Sequence, residues 1–385
     1  MTGTASEKII GIPFKYRYIK DFKKKIILIA FEESDPNGLF KQDEETREFL
    51  KFIKEMGCEF IKFSHLLEEF GNIKLSKKTK SEKITPFIKW VGGKTQLINS
   101  IKQNLPSDFA NRKDLTYIEP FVGGGAVLFW ILQQFPNISK AIINDINPDL
   151  TTAYKTIKEN PTELVKTLHS IQKEYLSLRE EKRKEFYLEK RARFNTKSLS
   201  PTENTALFIF LNRTCFNGLY RVNSKGLFNV PFGKYSNPKI CDEKTIYADS
   251  EILQKVEILT GDFENTLNFA SQNSFFYFDP PYKPLNETSS FNSYTKEAFN
   301  DNEQIRLGAF CKNIDMLGHS FILSNSDVKG KNPTDNFFDE LYHQFEIQRV
   351  FATRMINANA QKRGKLTELL ITNNTIAEIN LAVNF

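Results

Sequence analysis

The pattern of apolar and polar positions along the chain changes near Thr85. Beyond this point, short apolar runs alternate with stretches of helical periodicity, and the clearest runs are TYIEPF, AIIND, FFYFDPPY and FILSNSD. Apolar runs of this length, bounded by turn-forming residues, are typical of buried strands. Strands that alternate with helices predict an α/β fold around a parallel sheet.

The chain before this change has a pattern of its own. In residues 1–73, KKKIILIAF and CEFIKFSHL predict two strands, separated by an amphipathic helix over DEETREFLKFIKEMG. We expect a small β-α-β-like extension there, and its sequence indicates no function. Residues 74–85 are basic and polar, which favours a solvated linker over a contact with a nucleic-acid backbone.

A long polar insertion, residues 153–250, separates the second apolar run from the third. It contains KEYLSLREEKRKEFYLEKRARF, which predicts one charged helix, and then LNRTCFNGLYRVNSKGLFNVPFGKY. The second stretch has a polar turn before an alternating run, which predicts a β-hairpin. Its basic residues suit phosphates or guanine, although a basic hairpin is also typical of a solvated surface ribbon.

Composition and charge narrow the class of protein only a little. The 385 residues suffice for two or three domains, and 40% hydrophobic and 26% charged residues describe an ordinary soluble protein. The net charge of +6 is a weak bias towards polyanions. We expect a cytoplasmic protein, since no signal peptide or membrane-spanning run is evident. The scattered cysteines and histidines fit no zinc pattern, so we expect reduced thiols and no metal.

A glycine-rich turn lies between a predicted strand and a predicted helix in IEPFVGGGAVLF. The glycines Gly123 to Gly125 let a ligand approach the backbone at the positive end of the helix. A second strand ends about 20 residues later in Asp145, a position suited to ribose hydroxyls. Asp145 could instead cap the following helix. Without a G-x-G-x-x-G fingerprint, the pair favours a single adenosyl group over a dinucleotide.

Two further segments carry candidate binding residues. Upstream, PFIKWVGGKTQLI places Trp90 and Lys94 at a polar turn that opens a helix, where a packed tryptophan and a solvated lysine are the alternatives. Downstream, VEILTGDFENTL ends a strand at Asp262 and Phe263. An acid can accept from an adenine amino group while the phenylalanine covers the ring, although Asp262 could also cap a helix.

The run FFYFDPPY combines a buried strand with a stiff end. Asp279 precedes a proline, which favours an extended backbone. Pro280 and Pro281 donate no backbone N–H, so the strand end presents acceptors without continuing a ladder. By itself this stretch could be no more than a strand end with a polar cap.

The ordered set FIKWVGGK, EPFVGGG, INDINPDL, GDF and FFYFDPPY resembles the Dam-type, alpha-class (D12 family) DNA adenine-N6 methyltransferases. The resemblance extends from Pro86 to Asn373, about three quarters of the chain, and leaves out the first 85 residues. It implies a Rossmann-like methyltransferase fold with a doubly wound, mostly parallel seven-stranded sheet. Residues 86–152 and 251–385 would form the catalytic domain, and 153–250 an inserted helical and β-hairpin target-recognition domain.

The same resemblance implies a reaction. S-adenosylmethionine would donate a methyl group, without a metal, to an adenine flipped out of duplex DNA. Asp279 and the carbonyl of Pro280 would accept hydrogen bonds from the adenine amino group, and Tyr282 would stack on the base. The implied cofactor residues are Trp90, Lys94, Glu119, Gly123, Gly125, Asp145, Asp262, Phe263 and Asp279.

The hairpin stretch FNGLYRVNSKGLFNVPFGKYSNP looks like the DNA-reading hairpin of this family, which makes GATC the expected target. A cognate restriction endonuclease acting on the same site is a conceivable partner. Near the C-terminus, Asn357, Arg363 and Lys365 would touch the DNA backbone. The implied DNA-reading residues are Lys89, Phe216, Asn217, Leu219, Arg221, Pro231 and Tyr235.

Three competing functions stay open on the sequence. A cytosine-N4 methyltransferase would use a similar acceptor pair, but the GLYR hairpin matches adenine enzymes. A non-catalytic DNA-binding paralogue is disfavoured by the intact DPPY and GGG motifs, and RNA as substrate is disfavoured by a hairpin that reads duplex DNA.

Overall fold

The computed structural model describes residues 25–29, 58–62, 85–90, 92, 94–283, 299–330, 332–353 and 365–374. The chain divides into two compact units, Met1–Lys83 and Ile84–Phe385. In the first unit, strands β1 (Lys25–Ile29) and β2 (Cys58–Lys62) pair in parallel, as expected for a β-α-β arrangement. The helix predicted between them lies outside the described residues.

The second unit is built on a seven-stranded sheet with the order β5-β4-β3-β6-β7-β9-β8. Strands β3 to β7 are parallel where they pair, and β9 runs antiparallel to both β7 and β8. This confirms the predicted doubly wound, mostly parallel sheet. The strands are β3 (Leu115–Glu119), β4 (Ile138–Asp145), β5 (Val256–Thr260), β6 (Ser274–Phe278), β7 (Ser320–Ser326), β8 (Glu346–Thr353) and β9 (Lys365–Thr372).

Nine α-helices are described in this unit, and five of them follow one another between β4 and β5. They are α1 (Ile98–Gln103), α2 (Ala126–Gln134), α3 (Pro148–Glu159), α4 (Pro161–Ser177), α5 (Glu180–Phe194), α6 (Pro201–Thr214), α7 (Glu243–Leu253), α8 (Asp301–Met316) and α9 (Phe337–Leu341).

The central strands are buried on both faces, which explains their continuous apolar sequences. In β6, alternate side chains point to opposite sides of the sheet. Phe275 and Tyr277 join a core with α2, α3 and the inserted helices, whereas Phe276 and Phe278 join a second core against α8. Every residue of β3 and β6 is buried, so these two strands form the middle of the unit.

The stretch predicted as one charged helix is two helices, α4 and α5, and that prediction was wrong. The backbone is extended at Leu178 and again at Arg179, between the two helices. The break lets Tyr175 and Phe186 each place a ring 5.6 Å from Phe210 of α6. Packing onto α6 therefore decides against one continuous helix, although the local charge pattern favours it.

The stretch predicted as a β-hairpin turns back on itself through two isolated bridges, Val222 with Phe228 and Cys215 with Phe232, and forms no regular strand. This hairpin is anchored to the inserted helices by hydrogen bonds to its own backbone. Its tip closes with a bond from the Gly226 N–H to the Asn223 carbonyl at 2.8 Å. The Tyr187 hydroxyl donates to the Val230 carbonyl at 2.7 Å. The Asn195 side chain both accepts from the N–H of Phe228 and donates to its carbonyl. These contacts fix the hairpin on α5, as a rigid part of the unit.

One buried acid lowers the stability of this unit at neutral and alkaline pH. Asp249 on α7 is fully buried, and neither carboxylate oxygen has a hydrogen-bond partner. Burial raises the pKa of Asp249 to about 9. Because the folded-state pKa lies above the unfolded one, burial of this acid costs no ionisation energy below about pH 4, where both states are protonated. The free energy of unfolding then falls as pH rises towards 9, since only the unfolded chain can ionise the acid freely.

We expect Asp249→Asn to remove this loss, so that its melting temperature exceeds that of the wild type at pH 8 and converges with it near pH 4. About 1 kcal/mol corresponds to roughly 2–4 °C in a domain of this size. Asp108→Asn is the control, because Asp108 is exposed and the hydrogen bond from Arg112 lowers its pKa, so this variant should show no gain in stability at pH 8. A pH-independent difference between Asp249→Asn and wild type would contradict the assignment.

Candidate active site

Four candidate acids follow parallel strands and therefore lie at one edge of the sheet. Glu119 ends β3, Asp145 ends β4, Asp262 follows β5, and Asp279 follows β6. The strand order reverses between β3 and β6, since the chain continues outwards to β4 and β5 on one side and to β7 on the other. Such a reversal opens a crevice beyond the carboxyl ends of the strands, where ligands bind in folds of this type.

The glycine turn between β3 and α2 is shaped by close packing. Gly123 and Gly125 have φ angles of +49° and +76°, which glycine adopts without strain. A Cβ atom on Gly124 would lie 2.7 Å from the Cβ of Trp90, so a side chain is excluded there. The turn thus brings Trp90 of the first motif against the backbone that opens α2.

Asp145 is tied to this turn. Its carboxylate accepts the N–H of Gly123 at 3.1 Å and the N–H of Asn147 at 2.9 Å. Burial raises the pKa of Asp145 to about 6, and these N–H donors oppose the rise. The side chain that caps α3 belongs to Asn147, so Asp145 is not that helix's cap. The partly exposed carboxylate of Asp145 is available to a ligand.

Ile146, the next residue, is a site candidate that the sequence analysis missed. Its side chain is 58% exposed although it directly follows a buried strand. An exposed isoleucine beside a carboxylate suits the face of a flat, partly apolar ligand. The local signal was an apolar residue directly after the acid in INDINPDL.

Glu119 is buried, with 2% of its surface exposed, and accepts the Tyr117 hydroxyl at 2.7 Å. Burial raises the pKa of Glu119 well above its usual range, and the nearby charge of Asp279 adds to the rise. A buried carboxyl of this kind is stabilised in its charged form by a cationic group.

Asp262 and Phe263, which follow β5, both contact a residue from α8. Asp262 accepts the N–H of Glu264 at 2.9 Å, which is the capping role left open by the sequence, and it also pairs with Arg306. The guanidinium of Arg306 lies 4.3 Å from the centre of the Phe263 ring. The sequence analysis did not identify Arg306, because no motif surrounds it and only the fold brings α8 to this edge.

Asp279 meets Lys94 from the first glycine motif. Lys94 Nζ lies 2.8 Å from Asp279 Oδ1, and the Ser324 hydroxyl donates to the same oxygen at 3.2 Å. Burial raises the pKa of Asp279, and Lys94 opposes the rise. Lys94 is 6% exposed, so it is not the solvated lysine that the sequence left as an alternative.

The ammonium of Lys94 also faces an aromatic ring. Its Nζ lies 4.2 Å from the centre of the Tyr282 ring and donates to the Gly92 carbonyl at 2.8 Å. One nitrogen donor is thus held by the carboxylate of Asp279 and by the face of Tyr282 at the same time. An amino group on a planar base has the same two requirements, a hydrogen-bond acceptor and a ring to stack on.

The residues predicted to read DNA lie on the hairpin and beside Trp90. Lys89 Nζ lies 5.3 Å from the Tyr235 ring, and Asn212 holds the Lys89 backbone through two hydrogen bonds. A Cβ on Gly218 would come within 2.9 Å of the Lys89 side chain. The first motif and the base of the hairpin therefore form one surface.

Phe216 and Asn217 lie on a short turn at this surface. The Phe216 side chain is 51% exposed, and Asn217 has a φ of +56° that turns the chain outwards. The Phe216 N–H donates to the carbonyl of Pro231, which brings these two predicted residues together. Leu219 is half-buried beside them.

Arg221 lies further along the hairpin. Its Nε donates to Asn229 Oδ1 at 2.8 Å and its Nη2 to the Asn229 carbonyl at 3.4 Å, across the ribbon. The guanidinium is thereby oriented by Asn229, on the other side of the turn. Asn357 and Arg363 lie outside the described residues, and only the backbone of Lys365 is described.

Among the described residues, no group of three or more His, Cys, Asp or Glu side chains could hold a metal ion. None of the described helices is long and apolar enough to cross a membrane.

Comparison with known proteins decides the family. The profile of the D12 class N6 adenine-specific DNA methyltransferases matches residues 90–356. The chain belongs to this family. It is an adenine-specific DNA methyltransferase.

Relatives of the methyltransferase carry corresponding names. The "Type II methyltransferase M.MjaIII" of Methanocaldococcus jannaschii is 50% identical over 75% of this chain and 99% of its own length. The "Type II methyltransferase M1.LlaDCHI" of Lactococcus lactis is 40% identical over 75% of this chain and 95% of its own length. The "DNA adenine methylase" of Haemophilus influenzae is 35% identical over 74% of this chain and 92% of its own length.

Proposed function

We propose that this methyltransferase moves a methyl group from S-adenosylmethionine to the N6 nitrogen of an adenine that it flips out of duplex DNA, in the sequence GATC. The observation that carries the proposal is the contact of one nitrogen, Lys94 Nζ, with both the Asp279 carboxylate and the Tyr282 ring. It supports a pocket for an amino group attached to a flat ring.

The cofactor side of the crevice has the groups that S-adenosylmethionine requires. Asp145 would accept the ribose hydroxyls, and the buried Glu119 would pair with the ammonium of the methionine part. Asp262 and Phe263 would bind the adenine ring from one side, and the exposed Ile146 would cover it. When bound, the cofactor supplies a methyl group on a positively charged sulfur. The turn at Gly123 and Gly125, together with Trp90 and Lys94, would shape the rest of this pocket.

On the substrate side, Asp279 and the carbonyl of Pro280 would accept the two hydrogens of the adenine amino group. The nitrogen lone pair of adenine is delocalised into the ring, so the amino group is a weak nucleophile. Two fixed acceptors favour a geometry in which this lone pair points out of the ring plane towards the donor. The Lys94 ammonium lies where the proposal puts the amino group of adenine. Lys94 would therefore have to withdraw from Asp279 when the base enters.

Tyr282 would stack on the flipped base, a contact worth roughly 1–3 kcal/mol in other base–aromatic systems. Phe216 and Asn217 would enter the base stack of the DNA, where an exposed ring on a turn can take the place of an unstacked base. Lys89, Leu219, Pro231 and Tyr235 would contact the outer bases of the site, and Arg221 would bind guanine.

The names of the relatives bear on the partner of this methyltransferase. Two of the relatives above are named Type II methyltransferases, and the third is named a DNA adenine methylase. We therefore propose a cognate restriction endonuclease that cuts the same unmethylated site, with a solitary role as the alternative.

Cofactor binding should depend on pH through Asp145. Because its pKa is about 6, the carboxylate that accepts the ribose hydroxyls is present above pH 6 and protonated below it. We expect the affinity for S-adenosylmethionine, measured by calorimetry, to fall about tenfold or more between pH 7.5 and 5. Asp145→Asn should bind weakly at both pH values, without the step near pH 6. A wild-type affinity that stays constant over this range would refute the role of Asp145.

The reaction and its site can be read from DNA. We expect modification-sensitive long-read sequencing of a methylation-free host to show modified adenine confined to GATC when the wild-type protein is expressed. Asp279→Ala should abolish the modification while the protein stays folded. Asp108→Ala, which changes an exposed carboxylate bonded to Arg112, is the matched control and should leave it intact.

Two other results of the same experiment are informative. Adenine modification in a different sequence would retain the chemistry and overturn the assignment of the hairpin residues to GATC. Retained modification by Asp279→Ala would refute the proposed acceptor role of this residue.

Arg221 should affect sequence discrimination more than general DNA affinity. We expect Arg221→Ala to lose about 1–3 kcal/mol of discrimination between GATC and variants in which its guanine is replaced. Lys225→Ala, at the exposed tip of the same hairpin, should weaken binding to all sequences equally, as loss of a phosphate contact does. Equal discrimination by wild type and Arg221→Ala, measured as kcat/KM ratios, would exclude the guanine contact.

A further inference from the structure

The backbone around Tyr282 is held on both sides. The carbonyl of Pro281 accepts from Gln304 Nε2 at 3.1 Å, and Gln304 is itself fully buried in α8. The carbonyl of Lys283 accepts from the Ser326 hydroxyl at 2.9 Å, at the end of β7. With the main chain fixed before and after Tyr282, the direction of its ring depends on the side-chain torsions alone.

One further contact fixes those torsions. The Tyr282 hydroxyl donates to Glu368 Oε2 at 2.8 Å. Burial, together with the carboxylates of Asp279 and Glu368, raises the pKa of Tyr282 well above its usual range, so the hydroxyl keeps its proton and stays a donor. A hydrogen bond to a carboxylate is shorter and about twice as strong as one between neutral groups.

The backbone of Glu368, the acceptor residue, is held by its place in the sheet. Glu368 lies on β9, opposite Ser326 on β7 and opposite Val350 on β8, so its backbone is part of two ladders. Its side chain is only partly exposed. The sequence analysis did not connect Glu368 with DPPY, because β9 lies far from β6 along the chain.

We propose that Glu368 is the positioning residue for Tyr282: its carboxylate holds the phenol so that the ring stands parallel to the flipped adenine and faces Asp279. This inference rests on the proposed function, in which Tyr282 stacks on the base. The Lys94 ammonium marks the ring face concerned, since it contacts that face and Asp279 together. In this proposal Glu368 contacts neither the base nor the cofactor and acts through the Tyr282 ring.

Three groups are tested separately by substitution: the Tyr282 hydroxyl, the Glu368 acceptor and the Tyr282 ring. Tyr282→Phe keeps the ring and removes the donor, Glu368→Leu removes the acceptor, and Glu368→Gln keeps an acceptor oxygen without charge. We expect the first two variants each to lower kcat about tenfold on the duplex identified by sequencing, with the KM for S-adenosylmethionine within twofold of the wild type. Glu368→Gln should recover most of kcat.

A double-mutant cycle identifies the pair. Because both substitutions break one hydrogen bond, the combined Tyr282→Phe and Glu368→Leu variant should be no slower than either alone. Thr367→Val is the matched control on the same strand, where the Thr367 hydroxyl donates to Asp327 at 2.6 Å. It should lower the melting temperature and leave kcat unchanged.

A fluorescence measurement reports the stacking directly. With 2-aminopurine at the target position, stacking on Tyr282 should quench the flipped base in the wild type and in Glu368→Gln. Glu368→Leu and Tyr282→Phe should give a brighter complex, approaching that of Tyr282→Ala, with a loss of DNA affinity no larger than that of Tyr282→Ala.

The outcomes distinguish this inference from the proposed function. If Tyr282→Ala retains full turnover and quenching, the stacking role of Tyr282 fails, and the positioning role fails with it. If Tyr282→Ala loses turnover but Glu368→Leu does not, or if the two losses in the cycle are additive, only the positioning role is wrong.

Discussion

The contact between Lys94 and Asp279 joins the two halves of the site. Asp279 is held at a buried strand end, where an unpaired carboxylate costs free energy, and Lys94 reaches it from a motif far upstream. Removing one partner of a buried ion pair costs about 3–5 kcal/mol, because the remaining charge is left without compensation. The pair therefore compensates the charge of Asp279 and joins the first glycine motif to the end of β6.

The path of Lys94 depends on the glycine turn. Trp90, four residues before it, packs so closely on Gly124 that no side chain fits there. The same tryptophan stacks on Tyr220 of the hairpin, with ring centres 5.6 Å apart. A single short segment thus contacts the glycine turn, Asp279 and the hairpin, which are the three parts of the proposed cofactor and DNA sites.

Asp149 provides a second connection between the hairpin and the sheet. It lies in the first turn of α3, and it accepts the Tyr220 hydroxyl at 2.9 Å and Lys197 Nζ at 2.7 Å. The helix that it belongs to begins just after Asp145. A displacement of the hairpin would therefore act on the helix that follows Asp145, the carboxylate proposed to accept the ribose hydroxyls. The inserted helices therefore hold the hairpin, and through Asp149 the hairpin is also bonded to α3.

The sequence by itself determined the five parallel strands of the large sheet, the glycine turn, the order of the motifs and the chemical character of the acids. These features are local: an apolar run predicts a buried strand, and a double proline predicts a stiff strand end. It also indicated the family, because the motifs follow one another in a fixed order. It did not determine that α4 and α5 are separate helices, since the packing of Tyr175 and Phe186 on α6 overrides the local pattern.

The tertiary structure alone decided which groups meet. Lys94 lies on Asp279, Arg306 on Asp262 and Glu368 on Tyr282, and each pair is distant in sequence. Such contacts depend on the order of strands in the sheet and on the register of β9 beside β7, which are properties of the whole core. A local sequence pattern cannot predict these contacts, because the two partners of each pair belong to segments that only the folded sheet brings together.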